Sequence, residues 1–163
     1  MIRDVKKSDS AAIAAIYNHY IKNTIITFEE EEITPDEISG RIENVLSESL
    51  PWLVAEDKGN VIGYAYATKW RIRSAYRFSV ESTVYLAAAS TGKGIGSMLY
   101  NALLSKLKNK GIHAVMGGIA LPNPSSIALH EKFGFKKVAH FIEVGIKFEK
   151  WIDVGYWQLK FNS

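Results

Sequence analysis

Apolar positions along this chain repeat with two periods. Ile13, Ile16, Tyr17 and Tyr20 recur at helical spacing, with Ser8 placed as the N-cap. Ile38, Ile42, Val45 and Leu46 mark a second helical face behind Thr34-Pro35-Asp36-Glu37. That start puts proline at the first helical position and an acid three residues after the cap. Pro51 lies beyond its end. Met98, Leu99, Ala102, Leu103 and Leu107 give a third face, beginning near Ser97 and closed by Gly111. Asn123 to Phe133 reads as a short helix closed by Gly134. Strand-like runs occupy Ile2–Val5, Trp52–Glu56, Val61–Thr68, Phe78–Leu86, Ala114–Ile119, Lys136–Phe148 and Asp153–Phe161. Asp57-Lys58-Gly59-Asn60 is a hairpin signal between the second and third of these. Asn23 to Glu32 is polar and acidic and reads as a loop. The order βααβββαβαββ predicts a mixed sheet flanked by helices, α/β or α+β in class, in a single domain over 1–163.

Composition narrows the chemistry. A chain of 163 residues that is 47% hydrophobic suits one full core. The absence of cysteine excludes disulfides, a thiolate nucleophile and Cys-ligated zinc, and fits a cytoplasmic protein; no metal is expected. Met1-Ile2-Arg3-Asp4 lacks the apolar core of a signal peptide, and no run approaches the ~20 apolar residues of a membrane helix. The net charge of +3 is scattered. Lys106, Lys108 and Lys110 read as a solvated helix end, so no nucleic-acid or membrane partner is expected.

One stretch carries a specific chemistry. Ser90-Thr91-Gly92-Lys93-Gly94-Ile95-Gly96-Ser97 lies between an extended run and a helix. Uncovered backbone N–H groups at a helix start form a phosphate or pyrophosphate site. The spacing fails the nucleoside-triphosphate loop, which needs Lys and Ser or Thr after the last glycine. It also fails the dinucleotide fingerprint, lying late in the chain with no acid following at the right distance.

With its neighbours, this turn resembles the pyrophosphate signature of the GNAT (Gcn5-related) N-acetyltransferases, R/Q-x-x-G-x-G/A, read here as Thr91-Gly92-Lys93-Gly94-Ile95-Gly96. Thr91 departs from the usual Arg or Gln, which predicts weaker affinity with the backbone cradle retained. Asn123-x-x-Ser126-x-x-Leu129-x-x-Lys132-x-Gly134-Phe135 resembles a second family motif, bordering the pantetheine arm. Tyr17-Asn18-His19-Tyr20, Thr27-Phe28-Glu29, Arg73-Ser74-Ala75-Tyr76, Glu81-Ser82-Thr83-Val84-Tyr85, Leu121-Pro122-Asn123, Leu129-His130-Glu131 and Asp153 to Leu159 narrow the likeness to the phosphinothricin N-acetyltransferase branch. That branch acetylates the α-amine of small amino acids and of phosphinothricin, methionine sulfoximine and methionine sulfone.

The resemblance implies a central mixed, mostly antiparallel sheet and acetyl-CoA as co-substrate. The backbone of Val84, Tyr85 and Leu86 would pair with the pantetheine amides, and the N–H groups of Gly92, Lys93, Gly94, Ile95, Gly96 and Ser97 would cover the pyrophosphate. Asn123 and Ser126 would contact the pantetheine; a plain helix N-cap is the alternative for Asn123. Glu81 is the candidate base, through a water, against the alternative of a salt bridge to Arg73 or Arg77. His130 stands where many relatives carry the tyrosine assigned to protonate the CoA thiolate, and Tyr85 is a second candidate acid. Arg71, Arg73 and Tyr76 would receive the acceptor's carboxylate, with Phe28 and Glu29 walling the pocket. The family often dimerises, with Trp151, Tyr156 and Trp157 as candidate contacts. Transfer to a polyamine, aminoglycoside or protein, and a non-catalytic acyl-CoA-binding regulator, are the alternatives.

Overall fold

The computed structural model describes residues 1–162. Strands β1 (Ile2–Asp4), β2 (Trp52–Asp57), β3 (Asn60–Lys69), β4 (Ser79–Leu86), β5 (Ala114–Ala120), β6 (Lys136–Lys147) and β7 (Lys150–Lys160) form one sheet. Their spatial order is β1-β2-β3-β4-β5-β7-β6. Helices α1 (Ser10–Asn23), α2 (Pro35–Ser47), α3 (Ile95–Asn109) and α4 (Pro124–Lys132) connect them, in the predicted order. The sheet is mixed and mostly antiparallel: β4 and β5 make its parallel pair.

That pair is the feature that matters. β4 and β5 are joined only at Ser79–Ala114, Val80–Val115 and Glu81–Met116. Beyond them β4 stays paired to β3 as far as Leu86, and β5 stays paired to β7 as far as Ala120. Each strand follows its own outer partner, so the two part company after Glu81 and Met116. A sheet split along its middle leaves backbone polar groups facing a gap, where an extended ligand can supply the missing partners.

Local chemistry sets most element ends. Thr34 Oγ1 accepts from Glu37 N at 3.2 Å and caps α2 as its sequence predicts. The start of α1 differs from expectation. Ser8 lies inside a short 3-10 turn, Lys7–Asp9, and does not cap the helix. Asp9 stands at the N-cap position without a side-chain cap bond to α1; its carboxylate accepts from Lys6 N at 2.7 Å, bracing the 3-10 turn, while Arg3 of β1 holds both its oxygens at 2.9 Å. Two other assignments shift. Leu46 and Met98 are about half exposed, at the margins of their helical faces. α3 starts at Ile95, two residues earlier than read, because Gly94 already forms its N-cap.

The core is a single cluster. Leu99, Leu103 and Leu107 of α3 pack fully buried with Val54, Ala65 and Val115 of the sheet, and Ile13 and Ile21 of α1 with Ile38 and Ile42 of α2 join them. Trp52 stacks on Tyr66 with ring centroids 4.1 Å apart. Among the described residues no helix is long and apolar enough to cross a membrane.

Candidate active site

Two hollows meet at the split. The larger, about 610 Å³, is lined by Val84, Tyr85 and Leu86 of β4, by Thr91, Gly92, Gly94, Gly96 and Ser97 at the head of α3, and by Asn123, Ser126, Leu129 and Lys132 of α4 and its cap. Gly92 and Gly94 have φ of +75° and +80°, and a Cβ on either would meet nothing within 4 Å. Glycine is therefore required here by backbone conformation, not by space. The turn presents the free N–H groups of α3's first residues to the cleft, a site for a phosphate. Lys132 reaches the same end of α3, donating from Nζ to Ser97 Oγ at 3.0 Å. Lys93 and Ile95 belong to the same turn but do not line the cleft.

The smaller hollow, about 290 Å³, shares Ile26, Val84, Tyr85, Asn123 and Ser126 with the first. Its other walls include Phe28, Glu81, Ser82, Thr83, Tyr100, Gly118, His130 and Tyr156. Glu81 sits at the last ladder pair of β4 and β5, at the throat of the split. Burial pushes its carboxyl above the usual carboxylate range, and the Arg71 charge partly offsets this. Among the described residues no salt bridge engages Glu81, so the alternative of a pair with Arg73 or Arg77 is not what the structure holds.

His130 is a buried wall of this hollow. Its Nδ1 lies 2.7 Å from the Ser126 carbonyl and its Nε2 lies 2.8 Å from the Tyr100 hydroxyl. Tyr100 Oη in turn lies 2.9 Å from Ser82 Oγ. Burial lowers the imidazole below its ordinary value, with the Ser126 carbonyl opposing. Gly117 leaves room for the ring: a Cβ there would stand 2.6 Å from His130 Nε2.

The remaining sequence candidates are distributed as follows. Asn123 Oδ1 accepts from Ser126 N at 3.2 Å, so it is the helix cap, and the residue also lines both hollows. The Tyr85 ring packs among Tyr17, Tyr20 and Tyr64, burial pushes its hydroxyl well up, and the residue lines both hollows. Phe28 lines the smaller hollow, but Glu29 does not. The Glu29 carboxylate accepts from Arg41 at 2.9 and 2.7 Å and from the Tyr17 hydroxyl, which holds it below the usual range. Arg71, Arg73 and Tyr76 lie in the exposed β3–β4 connection, outside the walls of either hollow. Arg71 is stacked over Trp70 at 4.2 Å, and Trp70 meets Tyr156 edge to face. Trp151 and part of Tyr156 are accessible, whereas Trp157 is 2% exposed and donates to Glu131 at 3.2 Å, which removes it as a surface contact.

Sequence reading missed Ser82, Tyr100 and Tyr156 as wall residues. Ser82 carried a signal, since it alternates with Glu81 and Thr83 on a strand already assigned to the site. Tyr100 carried none, because its helical spacing with Leu99 and Leu103 reads as core.

A sheet parted beside a glycine-capped helix, with a long cleft on one side and a small polar pocket on the other, can hold a long phosphorylated carrier next to a small polar molecule. The described residues fit such a carrier, because the cleft offers a phosphate cradle at one end and open strand edge at the other. The comparisons specify the class. The family model for the acetyltransferase (GNAT) domain matches residues 2–155. The phosphinothricin N-acetyltransferase of Streptomyces viridochromogenes is 41% identical over 99% of this chain and 87% of its own length. The L-methionine sulfoximine/L-methionine sulfone acetyltransferase of Salmonella typhimurium is 35% identical over 99% of this chain and 94% of its own length. Among solved structures, the GNAT-superfamily phosphinothricin acetyltransferase of Sinorhizobium meliloti in complex with acetyl-CoA is 35% identical, with a TM-score of 0.95 over 98% of this chain and 87% of that one. The chain belongs to the GNAT acetyltransferase family.

Proposed function

We propose that this protein is a single-domain, acetyl-CoA-dependent N-acetyltransferase acting on the α-amine of a small amino acid or analogue of the phosphinothricin, methionine sulfoximine or methionine sulfone type. The observation that carries the reading is the junction of the two hollows at Val84, Tyr85, Asn123 and Ser126, with Glu81 on the small side and the α3 glycines on the large side. The sizes fit the division: about 290 Å³ suits an amino acid, not a folded protein.

Acetyl-CoA supplies an activated acyl group as a thioester. The protein's own task is to hold the partners in line and to remove protons from nitrogen. An α-ammonium has a pKa of about 7.7–8.0, so only a minority is nucleophilic at neutral pH. Glu81, its carboxyl raised by burial, takes that first proton through a water. The backbone of Val84 to Leu86 and the Asn123 amide orient the carrier's arm, and the N–H groups from Gly92 to Ser97 hold its pyrophosphate. Arg71, whose charge acts on Glu81 and Tyr156 of the pocket, supplies positive charge for the acceptor's carboxylate, with Arg73 in the same exposed connection. With no cysteine in the chain, transfer is direct in a ternary complex.

An acceptor screen that follows free CoA tests this. Turnover is expected with methionine sulfone, methionine sulfoximine or phosphinothricin. Absence of turnover across the set, with acetyl-CoA bound, rejects the acceptor assignment; absence of acetyl-CoA binding by calorimetry rejects the whole reading.

A further inference from the structure

We propose that Tyr100 and Ser82 form a proton wire from the acceptor pocket to His130, so that His130 acts through Tyr100 and not by direct contact with substrate. This rests on the reading of the pocket as the acceptor site.

The hydrogen positions follow from one carbonyl. Ser126 O can only accept, so the short contact at 2.7 Å puts a hydrogen on His130 Nδ1. In the neutral ring Nε2 is then the acceptor, and the Tyr100 hydroxyl at 2.8 Å must donate to it. Having donated its only hydrogen, Tyr100 Oη accepts from Ser82 Oγ at 2.9 Å. The competing acceptor for Ser82, the Met116 carbonyl, stands farther off at 3.5 Å. Every donor in the chain thus points toward His130. Ser82, Tyr100 and His130 all border the pocket and are all buried, but both ring nitrogens of His130 are already engaged, Nδ1 by the Ser126 carbonyl and Nε2 by Tyr100, which leaves Ser82, next to Glu81, as the entry to the wire. The wire has one end in the pocket and the other at an imidazole whose proton-accepting nitrogen is covered by Tyr100.

The stoichiometry of amide formation supplies the need. An ammonium that becomes an amide loses two protons from nitrogen. Glu81 takes the first and frees the lone pair. When the N–C bond has formed, the second N–H passes its proton to Ser82 Oγ as Ser82 gives its own to Tyr100 Oη and Tyr100 gives its own to His130 Nε2. The ring becomes an imidazolium while both hydroxyls remain neutral. The same hydroxyls return the proton to the leaving sulfur, Glu81 releases the first proton to solvent through its water, and the protein ends as it began. Burial works against a lasting imidazolium and so favours the return.

Three variants test this with ¹⁵N spectra of the histidine in the protein without ligand and with steady-state kinetics. Tyr100→Phe keeps the ring against Phe135 and His130 and removes only the hydroxyl. Its His130 Nε2 resonance should move to that of an unbonded imine-type nitrogen while Nδ1 stays protonated, and kcat should fall about 100-fold with the acetyl-CoA KM unchanged. Ser82→Ala should lower kcat by a similar factor and leave the His130 resonances in place, a split that a merely structural role does not produce. An unmoved Nε2 resonance in Tyr100→Phe overturns the wire, as does full kcat in either variant alongside a strong loss in His130→Gln. Full kcat in His130→Gln shows that the imidazole takes no proton, and overturns the proposal even where the acceptor screen confirms the pocket.

Discussion

Lys147 donates from Nζ to the Thr27 carbonyl at 2.7 Å, with its side chain almost wholly enclosed. The bond ties β6, an edge strand, to the loop between α1 and α2. Two residues earlier, Gly145 lies against the Phe28 ring so closely that a Cβ would collide with it. Phe28 is a wall of the smaller hollow, so the far edge of the sheet fixes one side of the acceptor pocket.

Lys147→Met should therefore act on the acceptor more than on the fold. Methionine fills the space without a charge to desolvate, which offsets the lost hydrogen bond to within about 1–2 kcal/mol. The expected kinetics are an acceptor KM raised several-fold with the acetyl-CoA KM unchanged. Burial lowers the Lys147 ammonium below its usual value of 10.5, so the folded state binds that proton less tightly than the unfolded chain. Wild-type stability should accordingly gain on the variant as pH rises through the alkaline range, in denaturant unfolding at stepped pH. An unchanged acceptor KM would show that the loop keeps its shape without the tie.

Glu81 sets the acid limb of the pH profile. Its raised carboxyl is a base only above the ordinary carboxylate range, so kcat/KM should fall as pH drops through a value higher than that of an exposed glutamate. The Arg71 charge holds it down, so Arg71→Ala should move this limb to higher pH. Glu81→Gln should remove the limb and cost roughly 10²–10⁴-fold in kcat. A limb that stays in place in Arg71→Ala would mean that another group is being titrated.

Much of this arrangement could be read along the chain, and the parts that could not share a cause. The element order and the glycine turn follow from periods and from backbone requirements, which are local. Thr34 and Asn123 announce their caps by their neighbours three residues on. Ser8 falls inside a 3-10 turn whose Asp9 is held by Arg3 from another element, and no local pattern encodes that contact. Tyr100 and Lys147 escaped notice for the same reason. Each looks like core or surface by spacing, and gains its meaning from a partner 30 or 120 residues away. Glu29 shows the converse: its motif was legible, but Arg41 neutralises it from α2.

The edge strand also points to assembly. Ile142, Val144 and Ile146 alternate along β6 with more than half of each side chain exposed, and Trp151 stands opposite Ile146 in β7. An apolar edge of this kind is an association site unless covered. The expected occupant is a second copy of the chain. Val144→Glu together with Ile142→Lys should shift sedimentation from dimer to monomer; a wild type that sediments as a monomer at micromolar concentration would reject the assembly.

The carrier cradle depends on two left-handed residues. Gly94→Ala meets no atom, so its cost is conformational, about 1–2 kcal/mol for a residue with a side chain at φ of +80°. The turn should relax away from that conformation and misdirect the N–H groups at the head of α3. The expected result is a raised acetyl-CoA KM with little change in acceptor KM. Equal rises in both would mean that the turn supports the fold generally and not the cleft in particular.

Gly117 and Gly40 separate space from conformation. Gly40 lies inside α2 with nothing within 4 Å of a built Cβ, so Gly40→Ala should stabilise the protein by about 1 kcal/mol and leave kinetics untouched. Gly117→Ala puts a methyl 2.6 Å from His130 Nε2, where β5 is held on its other side by pairing with Trp157. Strand or ring must give, and where the ring yields the Tyr100–His130 bond lengthens or breaks. Overpacking of this kind costs about 1–3 kcal/mol. Its kinetic signature should match Tyr100→Phe: kcat falls, acetyl-CoA KM holds, and the His130 Nε2 resonance moves. A stability loss with normal kcat would show that His130 tolerates displacement, and that its contact with Tyr100 serves packing alone.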